Sequence, residues 1–307
     1  MAFSTTPDRI DEVVTFMNEH GLTKTIEHFK IKEETLNRYL RAKSFYETQQ
    51  PKVLLLDIET ARIIGGFWQL GKQYITHQQI IKDWFILGWS AKWLFDQEIM
   101  SDFVTSKEAR ERNDSRICKS LWNLINDSDI IITHNGNAFD LPKANTRFIL
   151  NGLKPPLPYQ AIDTCKVGRK HFRFSSNSLN YLGKLMIRKE KLETNYQLWI
   201  DCEEGDAKQL KYMEKYCEQD VTLLEEVYIE LRPWIKSHPN LPLIMQAKAP
   251  ACPNCGSFNI EETDSYYYTP MNRYETVRCK DCGAVSHKRS TEITPARKNL
   301  LLRSDAR

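Results

Sequence analysis

Val53–Leu56 is a wholly apolar run that breaks directly into Asp57-Ile58-Glu59. Apolar residues at consecutive positions mark a strand buried on both faces, so this run belongs in the middle of a sheet. A strand has period two, which puts the Asp57 and Glu59 carboxylates on the same face. Two acids side by side at the end of a buried strand repel each other and lose solvation. A neutralising cation best explains such a pair.

Two further acids follow the same logic. Asp140 ends the segment His134-Asn135-Gly136-Asn137-Ala138-Phe139-Asp140, just past a second apolar strand, Ile130–Thr133, and at the start of a helix. Asp220 lies in a helical stretch four residues after Tyr216, a spacing that sets phenol and carboxylate on one helical face. Taken singly, Asp140 reads as a helix cap and Tyr-x-x-x-Asp as a common spacing. Their order is more specific: a strand acid pair, an acid after a strand, then a helical Tyr/Asp. Four carboxylates converging from separate elements suit two divalent ions roughly 4 Å apart and phosphoryl-transfer chemistry.

These motifs resemble those of the DEDD 3′→5′ exonucleases of the ribonuclease-H-like (DnaQ-like) superfamily, in the subgroup that uses tyrosine. Asp57-Ile58-Glu59-Thr60 resembles the first motif. Asn135-x-x-x-Phe139-Asp140 is similar to the second as found in the proofreading domains of family B DNA polymerases and their stand-alone relatives. Tyr216-x-x-x-Asp220 is similar to the third. The resemblance covers about residues 52–231. It implies an α/β fold with a mixed five-stranded sheet and flanking helices. It also implies two Mg²⁺ or Mn²⁺ ions on Asp57, Glu59, Asp140 and Asp220, with Tyr216 orienting the attacking water. Hard oxygen ligands agree with that choice of metal. Thr60 and Asn135 are weaker candidates for contact with a terminal nucleotide. Phe67 and Trp68 are either base-stacking residues or a packed aromatic pair. Lys143, Arg147, Lys166, Arg169, Lys170 and Arg173 either line a track for the strand or form a solvated face.

Around this core, the pattern predicts a helix at Ile10–His20 and a second from Thr23, its N-cap, to Phe29. A turn at Lys30-Ile31 and a third helix at Glu33–Arg41 follow. That is a helix-turn-helix-like module over residues 1–48, with Asn37, Arg38 and Arg41 as its contact candidates if it binds DNA. Residues 1–50 carry seven basic and eight acidic side chains, so a protein-contact or packing module is the competing reading. Residues 52–236 form the nuclease-like domain. Its further strands are expected at Trp84–Lys92, Glu98–Val104 and Ala161–Asp163, and a loop or bent hairpin at Ala61–Tyr74. Helices are expected at Lys107–Asn126, at Phe139–Leu150 with a break near Pro142, at Asn177–Leu185, and at Lys208–Arg232 with an interruption at Tyr216–Gln219. Ser237–Pro250 reads as a linker.

Cys252-Pro-Asn-Cys255-Gly and Cys279-Lys-Asp-Cys282-Gly repeat one turn on either side of a 23-residue insert. Four thiolates so spaced predict a structural zinc ribbon over residues 251–295, holding one Zn²⁺, with an iron site as the lesser alternative. Arg273, Arg278, Lys280, Lys288 and Arg289 give it positive charge, His287 is expected at the surface, and residues 296–307 form a basic tail. The other cysteines, Cys118, Cys165, Cys202 and Cys217, are scattered, which suits a reducing compartment. A cytoplasmic location, in a bacterial cell or a phage-infected host, is the expectation.

No run of 18 apolar residues is present, so no membrane partner is expected. A net charge of +3 is too small to argue for nucleic acid by itself. Walker, Rossmann and serine-hydrolase motifs are absent. The reading that follows is a 3′→5′ exonuclease on single-stranded or frayed DNA, with a replication, repair or transcription protein as a further partner. The alternatives are an RNA exonuclease or structure-specific endonuclease using the same site, and a catalytically inert DNA-binding regulator or assembly factor.

Overall fold

The computed structural model describes residues 7–33, 35–36, 50–69, 71–72, 74–189 and 191–302. Helices α1 (Pro7–His20) and α2 (Leu22–Phe29) open it. Gly21, at φ 82, is the N-cap of α2, so Thr23 lies inside that helix and does not cap it. Lys30 closes α2 in the left-handed conformation, as a tight turn requires. Val13, Val14, Ile31 and Leu36 bury against one another. Asn37, Arg38 and Arg41 lie outside the described residues, with most of the expected third helix.

The central part runs β1 (Val53–Thr60), β2 (Ile64–Gly65), β3 (Ile80–Lys82), β4 (Ile86–Trp93), β5 (Met100–Phe103), α3 (Ser106–Glu111) and α4 (Ser115–Asn126). It continues with β6 (Ile130–Thr133), α5 (Asp140–Leu150), β7 (Gln160–Asp163), α6 (Thr164–His171), α7 (Leu179–Leu182), α8 (Tyr196–Glu203) and α9 (Ala207–Leu231). Five strands form one sheet in the order β5-β4-β1-β6-β7. The pairs β5/β4 and β4/β1 are antiparallel, whereas β1/β6 and β6/β7 are parallel. A mixed five-stranded sheet with flanking helices is consistent with a ribonuclease-H-like fold.

β1 is central, as its apolar run requires. Leu54, Leu56 and Ile58 enter one core with Trp89, Ile117 and Leu121, while Val53 and Leu55 enter the other with Ile132, Val221 and Leu224. Asp57 and Glu59 continue the Val53/Leu55 row, on the side covered by α9. That helix runs 25 residues without the expected interruption. Its buried positions Met213, Cys217, Asp220, Val221, Leu224, Tyr228 and Leu231 recur at helical spacing, so packing holds it straight through Tyr216–Gln219. Lys92 on β4 pairs with Glu225 in a buried contact that fastens α9 to the sheet.

Other differences have local causes. The helix expected at Lys107–Asn126 is two helices, because Arg112 turns left-handed at φ 53 and the Asn113 side chain accepts from Ser115 N at 3.1 Å. α5 is unbroken, since Pro142 sits in its first turn, where the missing N–H has no helical partner to lose. Ser237–Pro250 is a packed strap. His238 is buried on the Tyr228 hydroxyl at 2.8 Å, and α10 (Leu241–Ile244) buries Leu241.

Beyond the strap, β8 (Ile260–Thr269), β9 (Asn272–Cys279) and β10 (Val285–His287) make an antiparallel sheet in the order β10-β9-β8, followed by α11 (Pro295–Lys298). Asn254, inside the first cysteine turn, donates to Arg232 O at 2.8 Å and Ile235 O at 3.2 Å. The cysteine module therefore satisfies backbone carbonyls just past the end of α9.

Arg147 has a fixed structural task. On α5 it donates to both carboxylate oxygens of Asp114, at 2.6 and 2.7 Å, and Asp114 also accepts from Ile86 N at 2.9 Å. Asp114 is fully enclosed. Arg147→Met leaves that carboxylate buried and uncompensated, with an expected loss of about 3–5 kcal/mol in urea denaturation. Affinity for an oligonucleotide is expected to stay unchanged when measured where the variant remains folded.

Candidate active site

Asp57, Glu59 and Asp220 offer carboxylate oxygens that all lie within 4.8 Å of one another. β1 supplies the first two, and its pairing with β4 shifts register just after them, between Glu59 and Thr60. α9 supplies Asp220, with Tyr216 one turn earlier. Asp140, the first residue of α5, turns its Oδ1 to accept from Ile58 N at 3.1 Å, between the two acids of β1.

Burial dominates the electrostatics. It pushes the Asp57 carboxyl well above the ordinary aspartate range, and the charges of Asp140, Asp220 and Glu59 push it further. Burial, then Asp220, lifts Glu59 to about 8, with Trp199 hydrogen-bonded to it in partial opposition. Burial lifts Asp140 to about 7 against the opposing bond from Ile58 N. Burial also raises Asp220, offset by Lys191.

Lys191 is a cation of the site that sequence patterns do not reveal. It pairs with Asp220 Oδ2 and stands 4.7 Å from the centre of the Tyr216 ring. Asp220 Oδ1, by contrast, is buried with no hydrogen-bond partner. An unsatisfied carboxylate oxygen among two more carboxylates fits a divalent cation, and the all-oxygen donor set fits a hard one. Cys217, equally unmarked in the sequence, places its Sγ 3.4 Å from Asp57 Oδ2, where the thiol donates.

Beside the acids lies a cavity of about 580 Å³, lined by Asp57, His134, Asn135, Arg169, Ser176, Asn177, Lys191 and Asp220 among others. Its wall is a clamped turn. Asp163 accepts from Asn135 N at 3.0 Å, Asn137 N at 3.3 Å and, as the cap of α6, Lys166 N at 3.1 Å. Asn135 sits at φ 66, and a Cβ on Gly136 would come within 2.3 Å of Thr133 Oγ1. His134 Nε2 meets Asn177 O at 2.8 Å, and burial holds its pKa below the usual value. Asp163 repeats the strand-then-acid pattern of Asp140, and His134 adjoins Asn135, so both carried a sequence signal. Lys191 and Cys217 carried none.

The remaining candidates divide. Thr60 ends β1, half-buried. Asn135 and Arg169 line the cavity, but Lys166, Lys170 and Arg173 do not, and Arg173 donates to Arg169 O and Phe172 O instead. Arg147 is paired with Asp114 and does not line the cavity. Lys143 lies over the Trp84 ring at 3.8 Å, outside the cavity lining. Phe67 and Trp68 are exposed, Trp68 almost fully, so they are not a packed aromatic pair.

The four cysteines of the C-terminal module come together. Cys252 Sγ lies 3.6 Å from Cys282 Sγ, and Cys255 Sγ 3.6 Å from Cys279 Sγ. Such distances far exceed an S–S bond and approach the roughly 3.8 Å edge of a tetrahedron with 2.3 Å Zn–S bonds. Gly256 and Gly283 follow the second cysteine of each turn at φ 77 and 80, a conformation that favours glycine. The cluster thus fits a metal bound by four thiolates.

Protons and a divalent ion compete for the acidic cluster. With Glu59 near 8 and Asp140 near 7, ion binding must drive protons off, and this becomes easier as pH rises through that window. Mg²⁺ affinity is expected to increase from pH 6 to pH 8.5 with net proton release. Calorimetry in buffers of different ionisation enthalpy measures both.

Residues 91–232 match the RNase_H_2 family model of the RNase_H superfamily. That span includes Asp140, Tyr216, Lys191 and Asp220 and begins after Asp57 and Glu59. No curated protein matches the chain. Over part of its length, then, the chain is similar to the RNase_H superfamily.

Proposed function

We propose that the chain is a metal-dependent 3′→5′ exonuclease that hydrolyses single-stranded or frayed DNA to 5′-mononucleotides. The observation that carries this reading is the triad Asp57, Glu59 and Asp220, one buried and two half-buried carboxylates converging from a central strand and a helix. Asp140 completes a set of four, which is suited to two Mg²⁺ or Mn²⁺ ions. Divalent ions held there would supply Lewis acidity to a bound water and offset charge on the phosphodiester.

The chain's own groups do the rest. Asp140 fixes the spacing of the acid pair through Ile58 N, and Cys217 steadies Asp57. The Tyr216 hydroxyl orients the attacking water, and burial keeps that phenol protonated and able to donate. The cavity beside the acids receives the terminal nucleotide, with Asn135 and Arg169 as its polar contacts and Thr60 at the strand end. Phe67 and Trp68 present rings to unstacked bases, and Lys166, Lys170 and Arg173 form the outer part of the track. Residues 251–295 are a zinc ribbon on Cys252, Cys255, Cys279 and Cys282.

Asp57→Asn is expected to lower the rate at least a thousandfold. On a 5′-labelled single strand with Mg²⁺, wild type should give a ladder of single-nucleotide steps, lost in chelator and in the variant. A 3′-labelled strand and an RNA strand separate the alternatives, since an endonuclease gives internal products. No cleavage by wild type under any condition defeats the proposal. Separately, Cys255→Ser should lower zinc content per chain and the thermal midpoint of the C-terminal module, as read by metal analysis and calorimetry.

A further inference from the structure

The three-stranded sheet of the C-terminal module has two unlike faces. On one, Arg273 lies over the Tyr266 ring at 4.3 Å and pairs with Glu292 at 2.7 Å, and Lys288 bridges Glu262 and Glu275. Ion pairs close that face. On the other, register brings Tyr267 opposite Tyr274, with His287 on the next strand. Tyr267 and His287 stack with ring centres 4.3 Å apart and planes 15° apart, and Tyr274 lies 5.4 Å from His287. Arg278, exposed, shares this face two residues beyond Thr276. Glu261, which faces it by register, is ion-paired with Lys280 at 3.2 Å.

These rings are not the module's core. That core consists of the four cysteines, Ala284 and Ile260, and Tyr267 remains 48% exposed. Flat rings already stacked in solvent-facing positions, next to a guanidinium that donates to the Gly283 carbonyl at 3.2 Å, make a surface for π-faces joined by phosphates. A purely apolar partner would leave Arg278 to be desolvated without compensation.

We propose that the Tyr267/Tyr274/His287 face stacks unpaired nucleobases of a single strand, with Arg278 on the adjoining phosphate. The chain would then hold substrate at a second place, away from the acidic cluster. This rests on the reading that the substrate is nucleic acid, but it does not require that the acidic cluster be active.

The test is binding without hydrolysis. Full-length Asp57→Asn protein is titrated, in chelator too weak to strip zinc, into fluorescently labelled twenty-nucleotide oligothymidine and into an abasic strand of the same length. Tyr267→Ala and His287→Ala are each expected to weaken oligothymidine binding about tenfold. Tyr267→Phe, which keeps the ring, and Tyr268→Ala, on the opposite face, should stay within twofold. The abasic strand should bind the parent protein as weakly as oligothymidine binds Tyr267→Ala. Zinc content and near-ultraviolet dichroism confirm that each variant is folded. Equal affinity for the two strands, equal effects of Tyr267→Ala and Tyr268→Ala, or stronger binding to anionic vesicles than to oligothymidine overturns the proposal. Wild type that stacks bases but never cuts defeats the exonuclease reading alone.

Discussion

Carboxylates forced together out of water set the terms for the rest of this structure. Asp57 and Glu59 share a face of the central strand, Asp220 is brought to them by α9, and Asp140 is anchored between them by Ile58 N. Each is raised in pKa by burial, and Asp57 and Glu59 also by their acidic neighbours, so the cluster is costly in isolation. The apolar rows on both sides of β1 keep the acids in place against that repulsion. α9 is held over them by the Lys92–Glu225 pair and an unbroken apolar stripe.

Lys191 shows how the chain tempers that cost. Its ammonium takes one oxygen of Asp220 and leaves the other without a partner. The result is partial neutralisation, which leaves room in the cluster for further positive charge. The cavity on the same side is bounded by a turn that Asp163 pins through two backbone amides while capping α6 with a third. A rigid wall beside a charge-hungry cluster is an arrangement that can hold a bound molecule in one orientation.

The C-terminal module is tied to this machinery through backbone hydrogen bonds. Asn254 satisfies carbonyls immediately after the helix that carries Tyr216 and Asp220, and the strap between them buries His238 on Tyr228. Metal on the four thiolates would therefore support the far end of that helix as well as its own small sheet.

Much of the site is legible in the sequence because its signals are local. Period two puts Asp57 and Glu59 on one face, i,i+4 spacing puts Tyr216 with Asp220, and paired cysteines with glycines announce two matching turns. The same locality limits what can be read. Arg147 looks like one more cation for a track, yet its charge is consumed by Asp114, 33 residues earlier in the chain. Lys191 and Cys217 show no pattern, because what they touch is decided by how α9 packs against β1 and the segment that carries Lys191, and not along any one element. Residue types and their periods determined where acids, rings and thiolates would stand on their own elements. Which charges are already paired, which oxygen stays bare and which rings remain exposed was decided only when those elements packed, since pairing in low dielectric depends on distance in space.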